Sequence, residues 1–299
     1  MSTHSLQPGT LWPTLRARTA NAMACGALRP IKTTQAVLND SGVRFVIRQV
    51  SSLALKPPAA PAAPRPLVDP FLPYDPDLFV ADLSDTHLAL LNKFNVLDHH
   101  LLIVTRAFES QDALINLEDF KAWFACLSEF DALGFYNGGR EAGASQPHKH
   151  MQVVPLPLGD SGQSLPIAPL IDAASFDGLV GTLPGLAFAH AFARLAPAPI
   201  EQAAAQALDR YRLLLHAVGL QSIVVDGRLH QSAPYNLLMT PRWMLLVPRS
   251  AECAAGIPIN SLGFAGSLFV RNAEQFDELR HIGPMTALCR VGVARRENA

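Results

Sequence analysis

Between residues 145 and 155 the chain dictates its own local geometry. His148, His150 and Gln152 recur at every second position, with Met151 and Val153 interleaved and an apolar run following. A two-residue period is that of a β-strand, whose successive side chains leave on opposite faces. Two imidazoles and an amide then share one face, while Met151 and Val153 occupy the other. The strand is fed by a loop, Gly143-Ala144-Ser145-Gln146-Pro147, and Asn137-Gly138-Gly139 stands just upstream.

Those residue types in that row suit phosphate chemistry. An imidazole is a neutral nucleophile near pH 7 and approaches an anionic phosphorus centre without charge repulsion. A second polar group on the face can fix its tautomer or steady developing charge. Gln152 can donate to a phosphoryl oxygen and stays uncharged at any working pH. Ser145 and Gln146, with the backbone of Gly143 and Ala144, offer further donors. The row predicts nucleotidyl transfer through a phospho-histidine type of intermediate, with His150 attacking. Two plainer readings stand beside it. The histidines can be ordinary strand residues satisfied by neighbours, or they can share a zinc ion with a third ligand such as His99 or His100.

The remaining sequence bounds the answer. At 299 residues with half of them apolar and 16% charged, the chain can bury a large core and is not disordered. A net charge of −1 without any basic run removes most support for nucleic-acid binding. No run reaches the roughly 18 apolar residues that span a bilayer, and the start lacks a secretory pattern. Cys25, Cys126, Cys253 and Cys289 are scattered, which reads as free thiols in a reducing cytoplasm. The proline-rich piece 57–66 reads as an exposed loop.

Helical periods are expected at 84–93, 117–130 and 199–217. Strands are expected at 43–49, 101–105, 134–137, 150–154, 222–225, 236–239, 244–247 and 267–271. Their close spacing favours an antiparallel α+β fold. Leu101–Arg106 echoes Leu245–Arg249, which suggests two related halves. The division expected is a catalytic half at 1–160, a connection at 161–190 and a completing half at 191–299.

The segment Gly143-Ala-Ser-Gln-Pro-His-Lys-His-Met-Gln152 resembles the signature of the ATP adenylyltransferases, or diadenosine tetraphosphate phosphorylases. These belong to the histidine-triad superfamily, in the branch whose third histidine is glutamine. Asn92-Lys-Phe-Asn-Val-Leu-Asp-His-His-Leu-Leu-Ile-Val-Thr105, Asn236–Thr240, Trp243–Arg249 and Asn260–Gly266 match as well, so the resemblance runs from about residue 26 to about 272. It implies histidine-triad-like antiparallel sheets with helices, as a pseudo-dimer in one chain.

By the same resemblance His150 is the nucleophile, His148 shapes the pocket and orients it, and Gln152 contacts the α-phosphate or the bridging oxygen. Gly143, Ala144, Ser145 and Gln146 match the phosphate loop; Ala144 stands where some relatives carry serine. Lys56, Asn92, Lys93 and Asn137 match nucleotide or phosphate contacts. Asn260, Ser261, Leu262, Ser267 and Arg271 match positions reaching the second nucleotide, Arg271 standing where relatives carry lysine. His99 and His100 read as supporting structure. Ser232, Asp226 and His230 form no hydrolase triad, since no nucleophile elbow accompanies them.

The resemblance implies cleavage of diadenosine tetraphosphate by inorganic phosphate to ADP and ATP, in the cytoplasm, by a monomer or weak homodimer. Magnesium or another divalent cation is expected on the substrate and not in a protein cage. The rival readings are a dinucleoside polyphosphate hydrolase, a hexose-1-phosphate uridylyltransferase-like enzyme, and a nucleotide-binding regulator without turnover.

Overall fold

The computed structural model describes residues 6–50, 69–160 and 162–295. The proline-rich piece and Lys56 lie outside these. The strands are β1 (Thr33–Asp40), β2 (Val43–Val50), β3 (Phe79–Asp82), β4 (His87–Leu91), β5 (Leu101–Thr105), β6 (Ala132–Gly138), β7 (His150–Pro155), β8 (Ser175–Asp177), β9 (Val180–Thr182), β10 (Ala191–Arg194), β11 (Ser222–Val225), β12 (Arg228–Gln231), β13 (Tyr235–Thr240), β14 (Trp243–Pro248), β15 (Cys253–Ala254), β16 (Ile257–Pro258) and β17 (Ser267–Val270). The helices are α1 (Leu11–Ala24), α2 (Leu117–Leu127), α3 (Ala168–Asp172), α4 (Ile200–Ala217), α5 (Ser261–Phe264), α6 (Ala273–Ile282) and α7 (Pro284–Val291).

Ten strands form one sheet in the order β3-β4-β5-β7-β6-β13-β14-β10-β9-β8, antiparallel throughout. The order contains a symmetry. In each half three strands precede a helix and two follow it, and the fifth strand slots between the third and fourth. The two fourth strands, β6 and β13, pair at the centre. Two related halves therefore lie side by side, as the sequence led us to expect.

The short echo between 101–106 and 245–249 nevertheless joins non-equivalent strands. Topology sets β7 against β14, and both are six residues long: His-Met-Gln-Val-Val-Pro against Trp-Met-Leu-Leu-Val-Pro. Gln152 sits between Leu102 and Phe135, as Leu245 sits between Phe192 and Leu238. His150 thus corresponds to Trp243 and Gln152 to Leu245. The second half fills its site with apolar groups, packed in one cluster with Val43, Phe45 and Ile47 of β2.

The expected helix at 84–93 is a correction: residues 87–91 are strand β4. Leu88 and Leu90 pack on one side, Ala89 and Leu91 on the other. A strand buried on both faces is apolar without a period, and short runs of this kind do not distinguish strand from helix. α1 and β1 carry little apolar periodicity, and α6 and α7, although amphipathic, are only ten and eight residues long, too short for their period to stand out. β1 and β2 join through Ser41-Gly42, both at positive φ, the two-residue hairpin that matches strand twist.

One sheet face carries α1, α2 and α4 over Ile103, Met151, Val153, Tyr136 and Leu237. On the other, the three-stranded sheet β1-β2-β17 and α5–α7 cover the second half and reach across to Leu133, Phe135 and Val154. A smaller cluster, Leu88, Leu90, Leu102 and Val104 under Phe71 and Leu72, covers the first-half edge. Between the two covers run His148, His150 and Gln152.

Lys149 shows why β7 lies as it does. Its side chain is fully buried on the helical face, where Nζ donates to Asp119 Oδ2 at 2.5 Å, Leu114 O at 3.0 Å and Glu109 Oε2 at 3.3 Å. Asp119 is itself the N3 residue of the α2 capping box, accepting from Asn116 N and meeting His87 Nε2. Burial works against its charge, but His87 and Lys149 hold its carboxyl below the usual range. Replacing Lys149 by Met strands Asp119 as a buried charge and should lower unfolding free energy by about 3–5 kcal/mol in urea titration, or prevent folding. A Lys149→Met protein within 1 kcal/mol of the parent (about one RT-scale unit or two) would contradict this anchor.

Candidate active site

His150 is 4% exposed and its ring is fixed from below. Its Nδ1 donates to the carbonyl of His148 at 2.8 Å, and its backbone N donates to Gln111 Oε1 at 2.9 Å. With Nδ1 protonated, Nε2 keeps the lone pair. Burial pushes its pKa down to about 4, so the ring is neutral at pH 7.

His148 is oriented by two side chains. Nδ1 faces the Asp69 carboxylate at 2.8 and 2.9 Å, so it is protonated and Nε2 accepts from the Thr105 hydroxyl at 2.9 Å. Both ring nitrogens are occupied, which leaves no lone pair for zinc. Among the described residues no three His, Cys, Asp or Glu side chains form a metal cluster. Phe71 lies against both rings, with centroids 5.1 Å from His150 and 5.7 Å from His148.

Gln152 is set by a relay. Asn92 Nδ2 donates to His100 Nδ1 at 3.2 Å, so His100 carries its proton on Nε2 and donates to Gln152 Oε1 at 2.9 Å. The Gln152 amide NH2 is thereby left as a donor facing a pocket. Burial pushes His100 down to about 4 as well, which keeps the relay uncharged. On the opposite face Trp123 Nε1 donates to Gln152 O at 3.3 Å. A Cβ on Gly134 would stand 2.4 Å from that indole nitrogen, so glycine is required there.

The pocket holds about 310 Å³ and draws on both halves of the chain. Asn92, His100, Asn137, Gly143, Ser145 and Gln152 line it from the first half. Glu252, Ile259, Asn260, Leu262 and Phe269 line it from the second, with Phe94 and Leu97 completing an apolar wall. No Lys or Arg lines it among the described residues. His150 sits two positions along the same strand face, about 7 Å from Gln152. Gly143 at φ +91° brings the loop against Asn260, where a Cβ would be 2.9 Å from the Asn260 Cβ.

Asn137 is a hub. Its Oδ1 accepts from Asn236 Nδ2 at 3.0 Å, Ser261 N at 3.0 Å and Ser261 Oγ at 2.7 Å. Asn236 is held in turn by Arg249, whose guanidinium also binds the carbonyls of Ala251 and Ile259. Burial pushes Arg249 down to about 10, still charged.

The structure does not bring every expected residue into the pocket. Ser261 is fully buried and gives its hydroxyl to Tyr136 O and Asn137. Ser267 is buried, with no partner for Oγ among the described residues. Lys93 is partly exposed, 4.0 Å from Asp75. Arg271 is exposed and its amide donates to Gln275 Oε1. Ala144 and Gln146 lie in the loop beside the wall. His99 ties to Thr19 and Trp12 of α1, a supporting position. Asp69, Gln111 and Phe71 carry no sequence signal for the site; each is far along the chain from the histidine it meets. A wider cleft of about 1130 Å³ beside His190 and Arg295 lies elsewhere, and both His190 ring nitrogens are bonded to backbone.

Comparison with known proteins gives the family. Residues 1–173 match the model of the Ap4A phosphorylase N-terminal domain, and residues 184–294 that of the ATP adenylyltransferase C-terminal domain. Diadenosine 5',5'''-P1,P4-tetraphosphate phosphorylase 2 of Saccharomyces cerevisiae is 29% identical over 255 residues, 76% of either chain. Protein APA1 of the same yeast is 26% identical over 286 residues, 85% of this chain and 84% of that one. The crystal structure of yeast Ap4A phosphorylase Apa2 superposes with a TM-score of 0.80 at 23% identity, covering 98% of both chains, and its complex with Ap4A gives 0.78. With models of both halves matched along nearly the whole sequence, the chain belongs to the Ap4A phosphorylase (ATP adenylyltransferase) family.

Proposed function

We propose that this protein cleaves diadenosine tetraphosphate with inorganic phosphate through an adenylyl-His150 intermediate. The observation that carries the reading is the Nδ1–H···O=C bond from His150 to His148, which leaves Nε2 as a neutral nucleophile next to a nucleoside-sized pocket. Family membership supports the substrate class.

The steps follow from that tautomer. Nε2 attacks the α-phosphorus, the N–P bond forms, and the P–O bond to the bridging oxygen breaks to release ATP. The imidazole gains positive charge as the bond forms. The His148 carbonyl, already accepting Nδ1–H, stabilises that charge without rearrangement. A phosphate oxygen then attacks the same phosphorus, the N–P bond breaks, and ADP leaves with the ring restored. Gln152, its oxygen committed to His100, donates its NH2 to a non-bridging oxygen. Ser145 and the loop amides add donors. Among the described residues lining the pocket Glu252 is the one carboxylate, a thin donor set for a resident divalent ion. A magnesium ion accordingly enters as part of the polyphosphate.

Incubating the protein with dinucleotide but no phosphate and reading intact mass should show one adenylyl group per chain, since Trp243 and Leu245 replace the chemistry in the second half. Adding phosphate should discharge it as ADP. His150→Asn should take no adenylyl group and lose turnover by roughly four orders of magnitude or more. Turnover that proceeds equally without phosphate would favour a hydrolase instead.

The depressed pKa of His150 sets a pH profile. A free imidazole titrates near 6.5, whereas here the neutral form persists until pH approaches about 4. Single-turnover adenylylation should therefore show no loss from this group between pH 5.5 and 7.5 (about one unit either side of the free value). A decline centred near 6.5 would contradict the buried, neutral nucleophile. The sign for stability is the same. Folding favours the neutral rings of His100 and His150, so their contribution is full above about 6.5 and is lost as pH falls toward 4.

A further inference from the structure

Asp69 lies 79 residues before His148 in sequence, at the start of a short run, Asp69-Pro-Phe-Leu-Pro-Tyr74, that crosses the histidine face. One carboxylate performs two tasks. It holds His148 Nδ1 at 2.8 and 2.9 Å, and Oδ1 accepts from the backbone N–H groups of Phe71 at 2.9 Å and Leu72 at 3.1 Å. The second task is an Asx-type turn that aims Phe71 inward. Phe71 lies against His150 and His148, while Leu72 and Tyr74 pack on Leu88, Leu90, Leu102 and Val104. His148 is fully buried, and the groups facing it are Asp69, Thr105, Phe71 and Phe108.

We propose that Asp69 is a positioning residue: it locks His148, whose carbonyl fixes His150, and it fastens Phe71 over the nucleophile so that the adenylyl-imidazole is shielded from water. The proposal rests on the adenylyl-His150 reading above. Its chemical consequence concerns the second step. An adenylyl-imidazole is cleaved at the N–P bond by either of two oxygen nucleophiles. Phosphate gives ADP; water gives AMP, with its proton lost to solvent and the ring regenerated. A fixed apolar ring packed against His150 limits access of the small, ever-present nucleophile to the N–P bond until phosphate is bound in place. Asp69 therefore acts on the partition between phosphorolysis and hydrolysis without touching substrate. Burial opposes its charge, yet the His148 bond and the two amides outweigh burial and hold the carboxyl below its ordinary range, so it remains an acceptor at neutral pH.

The experiment measures the lifetime of the adenylyl-enzyme without phosphate, and the AMP to ADP ratio with it, in the full-length parent and in Asp69→Ala, Asp69→Asn and Phe71→Ala. Loss of the strap should shorten the lifetime of Asp69→Ala at least roughly tenfold and raise its AMP share. Phe71→Ala should reproduce that shortening while ring 15N shifts still report the Nδ1–H tautomer of His148. Asp69→Asn keeps an oxygen for the two amides and should fall between the parent and Asp69→Ala. A role in folding alone would lower the active fraction and leave lifetime and product ratio unmoved. If the parent adenylylates and both Asp69→Asn and Phe71→Ala match it in lifetime and ratio, the proposal is overturned and the phosphorylase reading stands. If the parent itself forms no adenylyl-enzyme, both fall together.

Discussion

The site depends on a strand clamped from both sides. On the helical face, Lys149, just before β7, is buried against Asp119, and Trp123 donates to the carbonyl of Gln152. On the open face, His148 bonds Asp69 and Thr105, His150 bonds the His148 carbonyl, and Gln152 bonds His100. Alternation along a strand makes the two sets inseparable. A change in register that freed Lys149 would turn the histidines into the core. Asp119 serves at once as a cap for α2 and as counter-ion for Lys149, so the placement of that helix and the lie of the run that carries His148 and His150 share one carboxylate.

The pseudo-symmetric halves show what chemistry requires beyond a fold. The second half repeats the strand order and the crossover helix, and it repeats Met, Val and Pro at equivalent places in β14. The polar positions are what the second half lacks: Trp243 and Leu245 stand where the first half has His150 and Gln152, and they pack in one cluster with β2. The same architecture thus supplies a reactive surface in one half and a packing surface in the other. The second half also contributes directly to the first half's pocket through Glu252, Ile259 and Asn260, which Arg249 holds beside Asn137. One site built by two halves is the result.

Much of this was legible in the residues. The two-residue period at 148–152 placed the strand and the face that His150 and Gln152 share. The blocks around Asn92, Asn236 and Asn260 all reach the site or the network behind it. What was not legible has physical reasons. β4 is apolar on both faces, so no period betrays it. β1 owes its place to pairing with β2 and shows little apolar pattern of its own. Asp69 and Gln111 act on β7 across tens of residues of sequence, a distance at which no local pattern speaks. Ser261, which reads as a ligand contact, spends both its polar groups on Tyr136 and Asn137. Topology, not sequence similarity, identified β14 as the partner of β7.

The central claim is that a single backbone carbonyl decides which nitrogen of His150 reacts. Coupled 15N and 31P NMR on the trapped intermediate, with nitrogen-labelled histidine, tests it most directly. The account predicts that phosphorus is bonded to Nε2 of His150 while Nδ1 keeps its proton toward the His148 carbonyl. A bond at Nδ1, or on the ring of His148, would contradict it.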